Sequence, residues 1–212
     1  MSKNEKASVA RVVPRVLGAS AVTLVGGVVF VGGQPAQAAA FTVDNNNTSG
    51  DGSLYQAILN ANAAGGADTI TITATGVIDV RGLPAITGSV TIDGPGSASL
   101  TLNGYETECD LFYVNTPSVD LSISGVTITE VYCDAIDMDS EGGSLTLDDV
   151  TVTFTYSSMI EANDLATVTI TNSYFNDTYE GYGIYVKNVT GSVTISNTTI
   201  KNTDENGVHI YN

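Results

Sequence analysis

The chain has 212 residues, of which 23 are acidic and 7 basic, for a formal charge of −16 at neutral pH. That length suits one domain. The acidic excess excludes phosphate-backbone binding, which needs clustered Lys and Arg, and it repels anionic membranes and, unless cations bridge them, acidic polysaccharides.

The first forty residues differ from the rest. Lys3, Lys6, Arg11 and Arg15 make a basic start, Leu17 to Val31 form an apolar run interrupted by glycines, and the small-residue stretch QPAQAAA follows. Charge, then apolar run, then A-x-A sites describe a secretory signal peptide over residues 1–40. The run is short for a retained membrane helix. Beyond position 40 only Arg81, Lys187 and Lys201 are basic, against 22 acids, so the remaining chain carries about −19.

The stretch GDGSLYQAILNANAAGGADTITI, residues 50–72, reads as one helix followed by a strand. Ser53 with Gln56 three residues on forms a capping box. Leu54, Ala57, Ile58 and Ala61 share one helical face. Asn62 and Gly65-Gly66 are expected to end the helix, and Thr69 to Thr73 starts the first strong strand.

From residue 111 the sequence repeats. Phe112, Ile136, Ile160, Ile184 and Val208 are each 24 residues apart, as are Val114, Met138, Ala162, Val186 and Ile210. A third column reads Thr116, Ser140, Asp164, Asn188, Asn212. A second segment repeats at spacings of 24, 23 and 25, with apolar columns Leu121-Leu145-Val168-Val193, Ile123-Leu147-Ile170-Ile195 and Ile128-Val152-Phe175-Ile200. Between them lies the turn column Gly125-Asp149-Asn172-Asn197, built from residues that tolerate left-handed backbone.

About three short strands per 24 residues match one coil of a right-handed parallel β-helix, an all-β solenoid. A single coil cannot bury its apolar residues; stacked coils about 4.8 Å apart pair every strand above and below. A β-sandwich predicts no fixed ladder of this kind. Solenoid ends expose core and unpaired edges, so the helix is expected to cap the N-terminal end, over about residues 41–66, with coils from about 67 to 212. Asn212 closes a repeat motif in mid-stack. That implies a fragment of a longer chain, or an open last coil covered by another molecule, including end-to-end association.

The segment from residue 50, continued by GVIDVRGLPAITGSVTIDGPGSASLTLNG, resembles bacterial right-handed parallel β-helix repeat proteins with a CSLREAI-type N-terminal motif. Gly52, Tyr55 and Gln56 stand where that motif has Cys, Arg and Glu. The resemblance covers residues 41–212. It implies an exported protein, often surface-attached, whose activity is usually unassigned.

Chemistry-bearing residues are few. Cys109 and Cys133 are 24 apart and so share a position on adjacent coils, within disulfide range; two free buried thiols are the alternative. Asp134, Asp137 and Asp139, with Asp110 and Glu141 nearby, offer carboxylate oxygens for calcium, or form a solvated acidic face. Asp204 and Glu205 in NTDENGVH resemble part of the acid set of pectin-hydrolysing β-helix enzymes, but the same letters fit a turn between coils. Arg81, Lys187 and Lys201 fall on different coils and define no basic cleft, and His209 reads as one outward residue. Thr127/Thr129 and Thr151/Thr153 stack as in an ice-binding array, which Tyr174 and Lys201 interrupt.

The function expected is a secreted or cell-surface scaffold or binding protein without visible catalysis or cofactor. Outward Tyr113, Tyr185, Asn115 and Asn163 would offer stacking and hydrogen bonds to a polysaccharide or a surface protein. The competing class is a polysaccharide-active enzyme, a lyase or hydrolase.

Overall fold

The computed structural model describes residues 37–105 and 109–212, together with two short strands earlier in the chain. Contacts divide the chain into Met1–Pro35 and Ala36–Asn212. In the first unit Thr23–Val25 and Val28–Phe30 pair antiparallel. The signal-peptide reading of residues 1–40 otherwise lies outside the described residues. Among the described residues no helix is long and apolar enough to cross a membrane.

The second unit is a parallel β-solenoid. One ladder stacks Phe112–Val114, Ile136–Asp139, Ile160–Asn163, Ile184–Lys187 and Val208–Tyr211 in parallel. Its register pairs Phe112 with Ile136, Ile136 with Ile160, Ile160 with Ile184 and Ile184 with Val208, the column expected from the repeat. A longer ladder starts at Ala40–Val43 and runs through Asp68–Ile72, Val90–Asp93, Asp120–Val131, Ser144–Thr155, Thr167–Thr171 and Val193–Ser196. A third links Gly76–Asp79 and Leu100–Asn103 to the second halves of the two 12-residue strands, then to Tyr174–Thr178 and Thr199–Lys201.

Alternation sends every second residue inward. Ile136, Met138, Leu145, Leu147, Ile160, Val168 and Ile184 are completely buried, and each such aliphatic side chain stabilises the stack by about 1.5–3 kcal/mol. On the last rung the same columns are open: Val208 is 41% and Ile210 49% exposed. The unbroken 24-residue period begins near residue 111, although Gly76–Asp79 already pairs with Leu100–Asn103 at that spacing. In the longer ladder the earlier rungs pair at irregular offsets, Ala40 with Thr69, Asp68 with Val90 and Val90 with Leu121, because the helix and longer loops are inserted between them.

The second and third strands of a coil were expected to be separate. In two coils they are continuous, Asp120–Val131 and Ser144–Thr155. Gly125 and Asp149 each bend the strand with one left-handed residue, at φ 62° and 51°, and Asn172 (51°) and Asn197 (49°) occupy the same column. One residue turns the corner, so no loop is needed.

The helix spans Leu54–Ala64 and packs on the strands Ala40–Val43 and Asp68–Ile72. Its buried residues are Leu54, Ala57, Ile58 and Ala61, the expected face. Only half of the capping box forms. Ser53 Oγ accepts from Gln56 N–H at 3.2 Å, but the Gln56 side chain turns forward to Asn60 and the Ser53 N–H donates to Gly50 carbonyl. Asn62 does not end the helix. Its amide donates to Ala85 carbonyl at 2.8 Å and accepts from Thr87 N–H at 2.9 Å, tying the helix to a loop, and Gly65 is the C-cap.

Candidate functional site

Cys109 and Cys133 form a disulfide between adjacent coils, with Cα atoms 4.7 Å apart. Next to it Asp110 Oδ1 accepts from Asp134 N–H at 3.0 Å. The Asp134 side chain is 8% exposed, and its Oδ1 has no hydrogen-bond partner. Burial pushes its carboxyl up to about 7, reinforced by Glu161 and Asp110 and opposed by Ser157. Burial also lifts Asp137 to about 7, with Asp110, Glu161 and Asp134 adding repulsion. Asp137 pairs in register with Glu161 above and Tyr113 below, and Glu161 with Tyr185, so one outward row reads Tyr113, Asp137, Glu161, Tyr185, His209.

The three calcium candidates do not converge. Asp134 is buried behind the row and Asp137 stands in it, whereas exposed Asp139 lines a different groove with Glu141 and Asp164. Among the described residues, the one set of three ligand-type side chains with atoms within 4.8 Å is Cys109, Asp110 and Cys133. Both sulfurs of that set are used by the disulfide.

Other expected positions are engaged within the protein. Asn115 donates to Tyr113 hydroxyl at 2.8 Å, and Asn163 to Glu161 at 2.9 Å. Tyr185 stacks on His209 at 5.4 Å, and Tyr182 packs against both. Asp204 N–H donates to Thr178 hydroxyl and Glu205 N–H to Gly181 carbonyl, so this pair forms a turn between coils. The threonine array is broken: Thr127 donates to Ser97 carbonyl, Thr153 to Thr129, and Lys201 sits over the Tyr174 ring at 4.9 Å.

An aromatic surface feature that the core-column count does not reach lies at the corner after the third ladder. Tyr132, Tyr156 and Tyr179 stack on three successive coils, with centroids 5.3 and 5.0 Å apart. Backbone bonds fix the stack, from Tyr156 N–H to Val131 carbonyl and from Tyr179 N–H to Thr155 carbonyl, both 2.9 Å. With Tyr105, Phe154 and Glu130 they line an open groove of about 420 Å³. The tyrosines follow the same 24-then-23 slip as the second repeat segment, so extending the column count to exposed positions would have found them.

Phe154 holds this corner's left-handed position, at φ 61°, in a column with Glu130 (56°), Asp177 (69°) and Asn202 (53°). A left-handed bulky residue is an outlier costing about 1–2 kcal/mol. The Phe154 ring offsets little of that by burial, being 64% exposed. Strain of this kind concentrates at binding and active sites. A second, polar groove adjoins the first, lined by Ser157, Ser158, Glu161, Glu180, Tyr182 and Tyr185. Glu180 bridges them: its carboxylate lies against Tyr156 and holds that phenol above its ordinary value.

Compared with protein-family models and with curated proteins, the chain matches none.

Proposed function

We propose that the chain is an exported, secreted or surface-attached parallel β-helix that acts as a binding scaffold for an extended glycan, with no catalysis of its own. The tyrosine stack beside strained, exposed Phe154 carries this reading. A solenoid repeats one side chain at each rise of the coil, so Tyr132, Tyr156 and Tyr179 make a linear aromatic track along the coil axis. An apolar track with polar groups beside it suits a polymer whose rings have C–H faces and hydroxyl edges. The disulfide supports export, because such bonds persist in oxidising compartments.

Titration of the protein with cellohexaose, N-acetylated chitohexaose and glucosamine hexamer, followed by tyrosine ring resonances, tests this. Saturable shifts of Tyr132, Tyr156 and Tyr179 are expected, with at least tenfold weaker binding for Tyr156→Ala. Absence of any shift at millimolar oligosaccharide removes the reading.

One observation favours a second reading, a glycan-cleaving enzyme. Asp137, with its carboxyl raised to about 7, stands beside Glu161 on the next coil, and acid–base pairs of glycosidases have carboxyl groups whose affinities for protons are pushed apart. Shorter products from the same oligosaccharides, lost in Asp137→Asn, would establish it.

A further inference from the structure

The aromatic track does not stand in a neutral frame. Glu130 lines its groove, and Glu180 reaches Tyr156 from the neighbouring groove. Glu161 lines that second groove, and Asp137 is its partner in register. No Lys or Arg is among the described residues lining either groove. Glu130 and Glu180 are exposed, and Glu180 keeps its carboxylate at the Tyr156 phenol, at the edge of the track. Such a surface repels uronic acids and leaves its carboxylates unneutralised against a neutral sugar. A ligand with one ammonium per ring satisfies both features at once. Its apolar C–H surface covers the outer edges of the stacked tyrosines and exposed Phe154, and its N–H donors reach the carboxylates as charge-assisted hydrogen bonds.

We infer that the track selects an amino-sugar polymer with free ammonium groups, the rings seated on Tyr132, Tyr156, Tyr179 and Phe154 and the ammonium groups on Glu130, Glu180 and Glu161. This rests on the glycan-binding reading and narrows it to a cationic glycan. Specificity comes from where the acids stand, because charge attraction alone would recruit any polycation to so acidic a chain.

The test is calorimetric titration of the full chain with glucosamine hexamer, its N-acetylated counterpart, oligogalacturonate and pentalysine, at moderate salt and a pH where the amines are protonated. The amino hexamer is expected to bind at least tenfold tighter than the acetylated one, and oligogalacturonate not at all. Glu130→Gln with Glu180→Gln should remove most of that preference, whereas Tyr156→Ala, which keeps every charge, should weaken both hexamers. Both sets of changes lie on exposed side chains, and circular dichroism confirms the fold. Equal affinity for the two hexamers overturns the inference and leaves the glycan reading standing. Pentalysine binding as tightly and displacing the amino hexamer overturns it too, as attraction of any polycation. Binding of neither hexamer removes the inference and the underlying reading together.

Discussion

Two corners of the solenoid share one backbone solution and fill it differently. Gly125, Asp149, Asn172 and Asn197 turn the first with left-handed residues, as Glu130, Phe154, Asp177 and Asn202 turn the second. At the first corner the side chains serve the stack. Asn172 donates to Asp148 at 2.6 Å, Asn197 to Asn172 at 3.3 Å, and Asp149 accepts from Ser97 hydroxyl at 2.6 Å and from its N–H at 3.1 Å. At the second, Phe154 and the neighbouring tyrosines project into a groove, and Phe154 keeps a conformation that asparagine adopts more cheaply. Where turning is the sole duty the residues are those that turn well. Where they are not, as at Phe154, the proposed binding surface gives the excess cost a reason.

The largest test of this contrast cuts the aromatic corner's own staple. Replacing Cys109 and Cys133 together by serine frees a loop of one coil and should cost about 3.5 kcal/mol, read by denaturant unfolding. The first corner gives the next effect. A Cβ on Gly125 would lie 2.6 Å from Gly94 carbonyl oxygen and 2.8 Å from Gly96 nitrogen, at a left-handed φ, so Gly125→Ala should cost about 3 kcal/mol. A loss under about 1 kcal/mol would show that this corner is not tightly built.

A smaller effect concerns pH. Asp134 and Asp137 are raised from 3.8 to about 7 in the folded chain, so between those values the native state binds more protons than the unfolded one. Their contribution to stability is therefore fully present below about pH 4 and lost as pH rises through about 7. Melting temperature should fall between pH 5 and 8, and Asp134→Asn should flatten that slope and raise the pH 8 value. An unchanged slope in the variant would place the titrating groups elsewhere.

Much of the fold was legible because a stacked solenoid converts spacing into contact. Equivalent residues lie over one another, so the buried columns, the Gly125 turn column and the Cys109–Cys133 pair follow from counting alone. The first rungs of the longer ladder carry no such period, and their pairing depends on loop packing that spacing does not encode. Proximity in sequence put Asp134, Asp137 and Asp139 together, and Asp137 does feel both of the others, but Asp139 belongs to a separate groove with Glu141 and Asp164. The tyrosine stack obeys the same spacing and is legible from it, but on exposed positions rather than in the apolar core columns. Phe154 was not legible: its strain is a backbone angle, visible only once the corner is built.

The central claim is that the second corner holds a binding surface maintained against its own conformational cost. Phe154→Asn tests it directly, by thermal unfolding and oligosaccharide titration on one protein. Relief of the left-handed phenylalanine should stabilise by about 1 kcal/mol, raising the melting temperature by about 2–4 °C, while glycan binding weakens at least tenfold. A lower melting temperature with unchanged binding would contradict the claim and make Phe154 a structural residue.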